Sequence, residues 1–146
     1  SIYSDSVALN VVRLFNVYGA GMRDRVMHNF ISKIKSDSNV IIHGQGHQIR
    51  SFIWIDDVLD ALTQLQDSDI IGQVLNIGNP EPVSILKLSE MIKTKLGSNA
   101  GIDFLPLREE EPLNRIPDIH KITSLLKWEP TVSLDTGLER MLLNYE

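Results

Sequence analysis

Cysteine is absent from this chain of 146 residues. Its absence excludes a disulfide framework, a thiolate zinc site and a cysteine nucleophile, and it accords with a cytoplasmic protein. No apolar run approaches the length needed to span a bilayer. The opening "SIYSDSVALN" lacks the character of a signal peptide, so no membrane association is expected. The chain does not begin with Met, and a piece of something longer is therefore expected. Basic blocks are missing as well. With 14 Lys and Arg against 19 Asp and Glu, the net charge is −5 and the pI about 5.3. A nucleic-acid surface is not expected, although a local basic pocket for a phosphorylated small molecule is compatible with that balance. No internal repeat, low-complexity tract or linker interrupts the chain. Its length suits about one domain, large enough to bury a core.

What is present reads as alternating strands and helices, and hence as an α/β fold. "VALNVVRLF" (residues 7–15) is a nearly continuous β-branched and apolar run, of the kind buried on both faces in a parallel sheet. No obvious neighbour flanks it within the chain, so it reads as the last strand of a sheet that lies upstream. "VMHNFISKI" places Val26, Phe30, Ile31 and Ile34 on one helical stripe. "VIIHG" and "RSFIWI" read as two strands joined by a turn. Asp56 or Asp57 then caps a helix with Val58, Ala61, Leu62 and Leu65 inward. "QVLNIG" is a strand. Ser84 caps a helix carrying Ile85, Leu88, Ile92 and Leu96 and stopping at Gly97. "GIDFLPL" is another strand and "REEEPLNRIPD" a charged loop. Asp118 caps a short helix ending near Trp128. Ser133 caps the last helix, with Leu134, Leu138, Met141 and Leu142 inward.

The stretch "HGQGHQIRSFIWIDD" (residues 43–57) invites three readings. A dinucleotide loop requires G-x-G-x-x-G between a strand and a helix. Here the third glycine position is Ile49 and a strand follows, so Gly44 and Gly46 read as turn residues that adopt positive φ. A metal site is not supported, because His43 and His47 lack both helical spacing and a third spaced ligand. Arg50 remains open between a solvated surface residue and an anion ligand, since a guanidinium has planar donors suited to phosphate oxygens. Arg23, Arg25, Arg108 and Arg115 pose the same question.

Five stretches in order make the chain resemble the C-terminal half of the NAD-dependent nucleotide-sugar epimerase/dehydratase family, the extended short-chain dehydrogenases. "VVRLFNVYGAG" resembles the family's last Rossmann strand and its Asn-x-Tyr-Gly-Pro turn, with Ala20 in place of the proline. "RVMHNFISK" resembles the helix start that follows. "VIIHGQGHQIRSFIWIDDV", "VLNIGNPEPVSILKLSEMI" and "REEEPLNRIPDIHKITSLLKWEPTVSLDTGL" resemble its three later signatures. Within the family the chain looks most similar to UDP-glucuronate decarboxylases and UDP-glucose 4-epimerases.

The resemblance implies the last strand of a Rossmann-type parallel sheet plus a small mixed α/β substrate-binding domain, divided as residues 1–24 and 25–146. It implies that Asn16 hydrogen-bonds the substrate near the sugar and diphosphate. Arg25 and Val26 fall at a helix start that contacts the nucleotide, and His43 lies against the base. Arg50 clamps the diphosphate, while Arg108 and Glu111 contact diphosphate and ribose. Arg115 is a further anion contact, with Ile41 and Phe52 as apolar lining. The family's Gly-rich NAD fingerprint and its Tyr-x-x-x-Lys pair have no counterpart here, since Val7 stands four residues after Tyr3. The resemblance therefore implies that NAD serves the complete enzyme and does not bind this chain, which by itself should be inactive. The expected partners are a UDP- or dTDP-sugar and a missing N-terminal Rossmann half, with a homodimer among the expected assemblies. The alternative function is a non-catalytic module that binds a nucleotide sugar or a protein.

Overall fold

The strand that lacked an obvious neighbour has one within the chain. The computed structural model describes residues 9–107 and 112–145, and there β1 (Val11–Leu14) pairs in parallel with β6 (Val74–Ile77), Val11 opposite Val74 and Leu14 opposite Ile77. Parallel strands cannot be joined by a tight turn, so the intervening chain makes a long excursion. It runs through β2 (Val17–Tyr18), α1 (Val26–Lys35), β3 (Val40–His43), β4 (Ile49–Arg50), β5 (Ile53–Trp54) and α2 (Ile55–Gln66). After β6 come β7 (Val83–Ser84), α3 (Ile85–Leu96), β8 (Ile102–Leu105), β9 (Asn114–Arg115), α4 (His120–Leu126) and α5 (Leu134–Leu143). The fold is α/β with mostly parallel pairing, as the alternation of periods implied.

The reading of "VIIHG" and "RSFIWI" as two strands about a turn needs correction. β3 pairs in parallel with β8, whereas β4 lies between β7 and β9. The second run breaks at Ser51–Phe52, and β5 pairs in parallel with β2. Residues 44–48 thus connect two sheets and do not close a hairpin.

Helix termini follow local chemistry. Ser84 accepts from the Lys87 N–H at 3.1 Å, Ser133 accepts from the Thr136 N–H at 3.2 Å, and Gly97 ends α3 at φ 60°. Neither Asp56 nor Asp57 is the cap of α2. That position is Trp54, whose indole donates to Asp56 at 2.9 Å, and both aspartates lie in the first turn. There a negative charge meets the positive end of the helix dipole. Similarly, Ile119 occupies the cap position of α4, while Asp118 still accepts the His120 N–H at 2.9 Å. Those bonds to His120, backbone first, hold the Asp118 carboxyl below its ordinary range.

Two apolar clusters result. One gathers α1, α3 and α5 around Met27, Ile31, Leu88, Ile92 and Leu138. The other joins α2, β6 and α4 through Ile53, Val58, Leu75, Ile77, Ile122 and Trp128, with Val12 and Val17 packed against it. On β1, by contrast, Val11 and Leu14 are exposed.

Candidate functional site

A cavity of about 610 Å³ lies where α1 faces the end of β3 and the β4–β5 segment. That size falls within the usual range for small-molecule sites. Seven of the sequence-derived candidates meet in its wall: Asn16, Arg25, Val26, Ile41, His43, Arg50 and Phe52. Arg115 does not. It is the register partner of Arg50 on β9 but is exposed and outside the wall. Arg108 and Glu111 lie outside the described residues.

Arg50 is buried, at 8% exposure, beside the turn. Its Nη1 donates to the carbonyls of Ile49 at 2.8 Å and Leu113 at 3.5 Å. Those contacts fix the plane of a guanidinium that lines the cavity. Phe52 packs behind, edge-on to Tyr18 with ring centroids 6.3 Å apart. Burial, and then the charges of Asp57 and Glu81, push the Tyr18 phenol far above its ordinary value. Tyr18 thus stays protonated and packs in the apolar core.

Asn16 adopts φ 38°, a region that asparagine tolerates better than most side chains. Its Nδ2 donates to the Ser51 carbonyl at 2.8 Å, which holds the segment between Arg50 and Phe52 in place. His43 Nδ1 lies 3.2 Å from the Pro106 carbonyl. A carbonyl only accepts, so in this contact Nδ1 carries the proton. On the opposite wall Arg25 is the cap residue that precedes α1, with an extended backbone and no side-chain bond to the first turn. Uncapped first-turn N–H groups and the positive helix end favour an anion.

Sequence reasoning missed Asn29, Lys33 and Gln48, which also line the cavity. Asn29 and Lys33 follow Arg25 at steps of four on one helix face, a spacing that could have flagged them. Among the described residues the wall carries three cationic side chains, Arg25, Lys33 and Arg50, against one carboxylate, that of Asp24. In a chain of net charge −5, the described part of the wall is locally positive. Among the described residues no cluster of His, Cys, Asp or Glu could hold a metal ion, and no helix is long and apolar enough to cross a membrane.

The model of the NAD dependent epimerase/dehydratase family matches residues 4–78. UDP-glucuronic acid decarboxylase 1 of Danio rerio is 37% identical over 141 residues, covering 94% of this chain and 34% of that protein. UDP-glucuronic acid decarboxylase 2 of Arabidopsis thaliana is 35% identical over 143 residues, covering 96% of this chain and 32% of that protein. Among solved structures, UDP-glucuronic acid 4-epimerase from Bacillus cereus, in complex with UDP-glucuronic acid and NAD, superposes with a TM-score of 0.91 at 34% identity. That match covers 98% of this chain and 47% of the epimerase. UDP-glucose 4-epimerase from Thermotoga maritima, with UDP-glucose, gives a TM-score of 0.90 at 25% identity, covering 99% of this chain and 48% of that one. The chain thus spans about a third of the length of these curated relatives.

Proposed function

The chain belongs to the NAD dependent epimerase/dehydratase family, and from that premise we propose that it supplies the nucleotide-sugar-binding part of an NAD-dependent UDP-sugar epimerase, dehydratase or decarboxylase. The observation that carries this reading is the cavity wall, where Arg50, Arg25 and the start of α1 converge beside His43, Ile41 and Phe52. A nucleoside diphosphate presents anionic oxygens at one end and a flat base at the other. The arginines and helix N–H groups suit the first, and the apolar wall with His43 suits the second. The UDP-sugars named for the relatives favour uracil as the base. Arg108 and Glu111 are proposed to complete the contacts to diphosphate and ribose, with Arg115 acting from the rim.

We propose that NAD is held elsewhere than in this chain. The turn at Gly44 and Gly46 leads into a strand, and a β-carbon on Gly46 would meet Leu86 Cβ at 2.9 Å. That glycine therefore packs against α3 and does not open toward a pyrophosphate. We assign the cofactor, and the Tyr-x-x-x-Lys pair that this sequence lacks, to a Rossmann half outside this chain. Residues 1–24 would finish the sheet of that half, together with β6 and its covering helices. Exposed Val11 and Leu14 on β1 and Val74 on β6 suit such a neighbour. Without that half the chain binds and orients the nucleotide but transfers no hydride.

Calorimetric titration of the chain with UDP and separately with NAD tests this reading. Saturable binding of UDP and none of NAD is expected. A folded chain that binds NAD but not UDP contradicts it.

A further inference from the structure

His43 and Arg50 face the same cavity from strands that belong to different sheets. The connection between them is the turn of residues 44–48, with Gly44 at φ 67° and Gly46 at φ 74°. The side chain of Gln48 closes that turn. Its Nε2 donates to the His43 carbonyl at 2.6 Å, and the residue is only 3% exposed. Because a carbonyl only accepts, this contact also fixes which end of the amide is nitrogen. The turn is anchored from outside as well. The Ile85 N–H donates to the Gln48 carbonyl at 3.1 Å and the Leu86 N–H to the Gly46 carbonyl at 2.9 Å. One amide therefore ties the end of β3 to a residue two positions before Arg50, on the same side of an extended segment.

Simple filling of the turn would not favour glutamine. Its Oε1 is buried with no hydrogen-bond partner among the described residues, a desolvation penalty that a hydrocarbon of similar shape avoids. What the amide adds is the bond to His43. We infer that Gln48 is a positioning residue, whose side-chain amide sets the spacing between His43 and Arg50 and so fits the site to the separation of base and diphosphate in one nucleotide. This rests on the nucleotide-binding reading of His43 and Arg50 given above. A ligand held at two points gains from the second contact only if the spacing is correct.

A double-mutant cycle tests the inference. UDP is titrated calorimetrically into the unmutated chain, Gln48→Met, Arg50→Ala and the double variant. Gln48→Met is expected to weaken UDP binding about fivefold to tenfold, the range of one hydrogen bond. In the Arg50→Ala background the same change should cost less than about twofold, because the contact it positions is already gone. Equal losses in both backgrounds, or no loss in either, overturn the positioning role. Should Gln48→Met fail to fold, the Gln48 side-chain amide resonances of the unmutated chain provide the readout. They should move on saturation with UDP, and unmoved resonances overturn the inference. Failure of the unmutated chain to bind UDP overturns the site reading itself, whereas binding that depends on Arg50 with an additive cycle overturns only the role of Gln48.

Discussion

Asp57 holds Thr131 by two bonds, Oδ1 accepting from its backbone N–H at 3.1 Å and from its hydroxyl at 2.9 Å. The other oxygen accepts the Val132 N–H at 3.1 Å, and the carboxylate is buried at 5% exposure. The first turn of α2 is thereby fastened to the segment entering α5, across the junction of the two apolar clusters. Asp57→Ala leaves buried donors without an acceptor and is expected to lower unfolding stability by about 3 kcal/mol. Urea denaturation measures this, and a loss below about 1 kcal/mol contradicts it.

Gly137 of α5 lies against the Tyr18 hydroxyl, where any β-carbon would collide with the phenol. Gly137→Ala should cost about 2 kcal/mol by overpacking. The hydroxyl has no hydrogen-bond partner among the described residues, so Tyr18→Phe should be nearly neutral in thermal unfolding. Combining the two changes should recover part of the Gly137→Ala loss.

Lys95 links α3 to α5 through Asp135 at 2.7 Å and Glu139 at 2.9 Å. Its hydrogen bonds to Asp135 and then Glu139 raise its pKa above the ordinary 10.5. A raised folded-state value stabilises fully below 10.5, and that contribution is lost as pH rises through the folded value. Stability should therefore fall in the alkaline range above 10.5 in the unmutated chain, and less steeply in Lys95→Met. Denaturation midpoints at a series of alkaline pH values test the difference. The pair is near the surface, so the effect should be modest and shrink with salt.

Arg115 stands beside Arg50 in register but outside the cavity wall. It should act on UDP through its field rather than by contact. Arg115→Ala is expected to slow association several-fold at low salt, with the difference fading at high salt. Stopped-flow binding at two ionic strengths distinguishes this from a direct contact, whose loss would persist.

Signals confined to one turn of chain were legible in the sequence. Ser84, Gly97 and Ser133 act where their side chain or φ predicts, because each cap reaches only a few residues. The inward stripes of α1 and α3 followed from period alone. Pairings between distant segments were not legible. Val11 meets Val74, and Ile41 meets Asp103, and parallel registers leave no local mark. For that reason no local signal gives the N-terminal strand its neighbour, and residues 44–48 read as a hairpin turn. Asp56 and Asp57 carried the right residue type for a cap, but Trp54 turned the chain earlier. Of the cavity wall, His43 follows from the family resemblance alone, whereas Arg50 is also raised by its place beside the Gly-rich turn. Gln48 was passed over because its role depends on the carbonyl of His43, which no spacing rule reveals.

The central claim is that the Arg50 guanidinium meets the diphosphate of a nucleotide sugar in this cavity. Calorimetric titration of UDP into the unmutated chain and into Arg50→Ala tests it most directly. Truncating one partner of a buried charge pair typically costs at least about 2 kcal/mol, or roughly thirtyfold in affinity. The account predicts saturable binding by the unmutated chain and a loss of at least about that size in the variant. Equal affinity of the two folded proteins for UDP would contradict it.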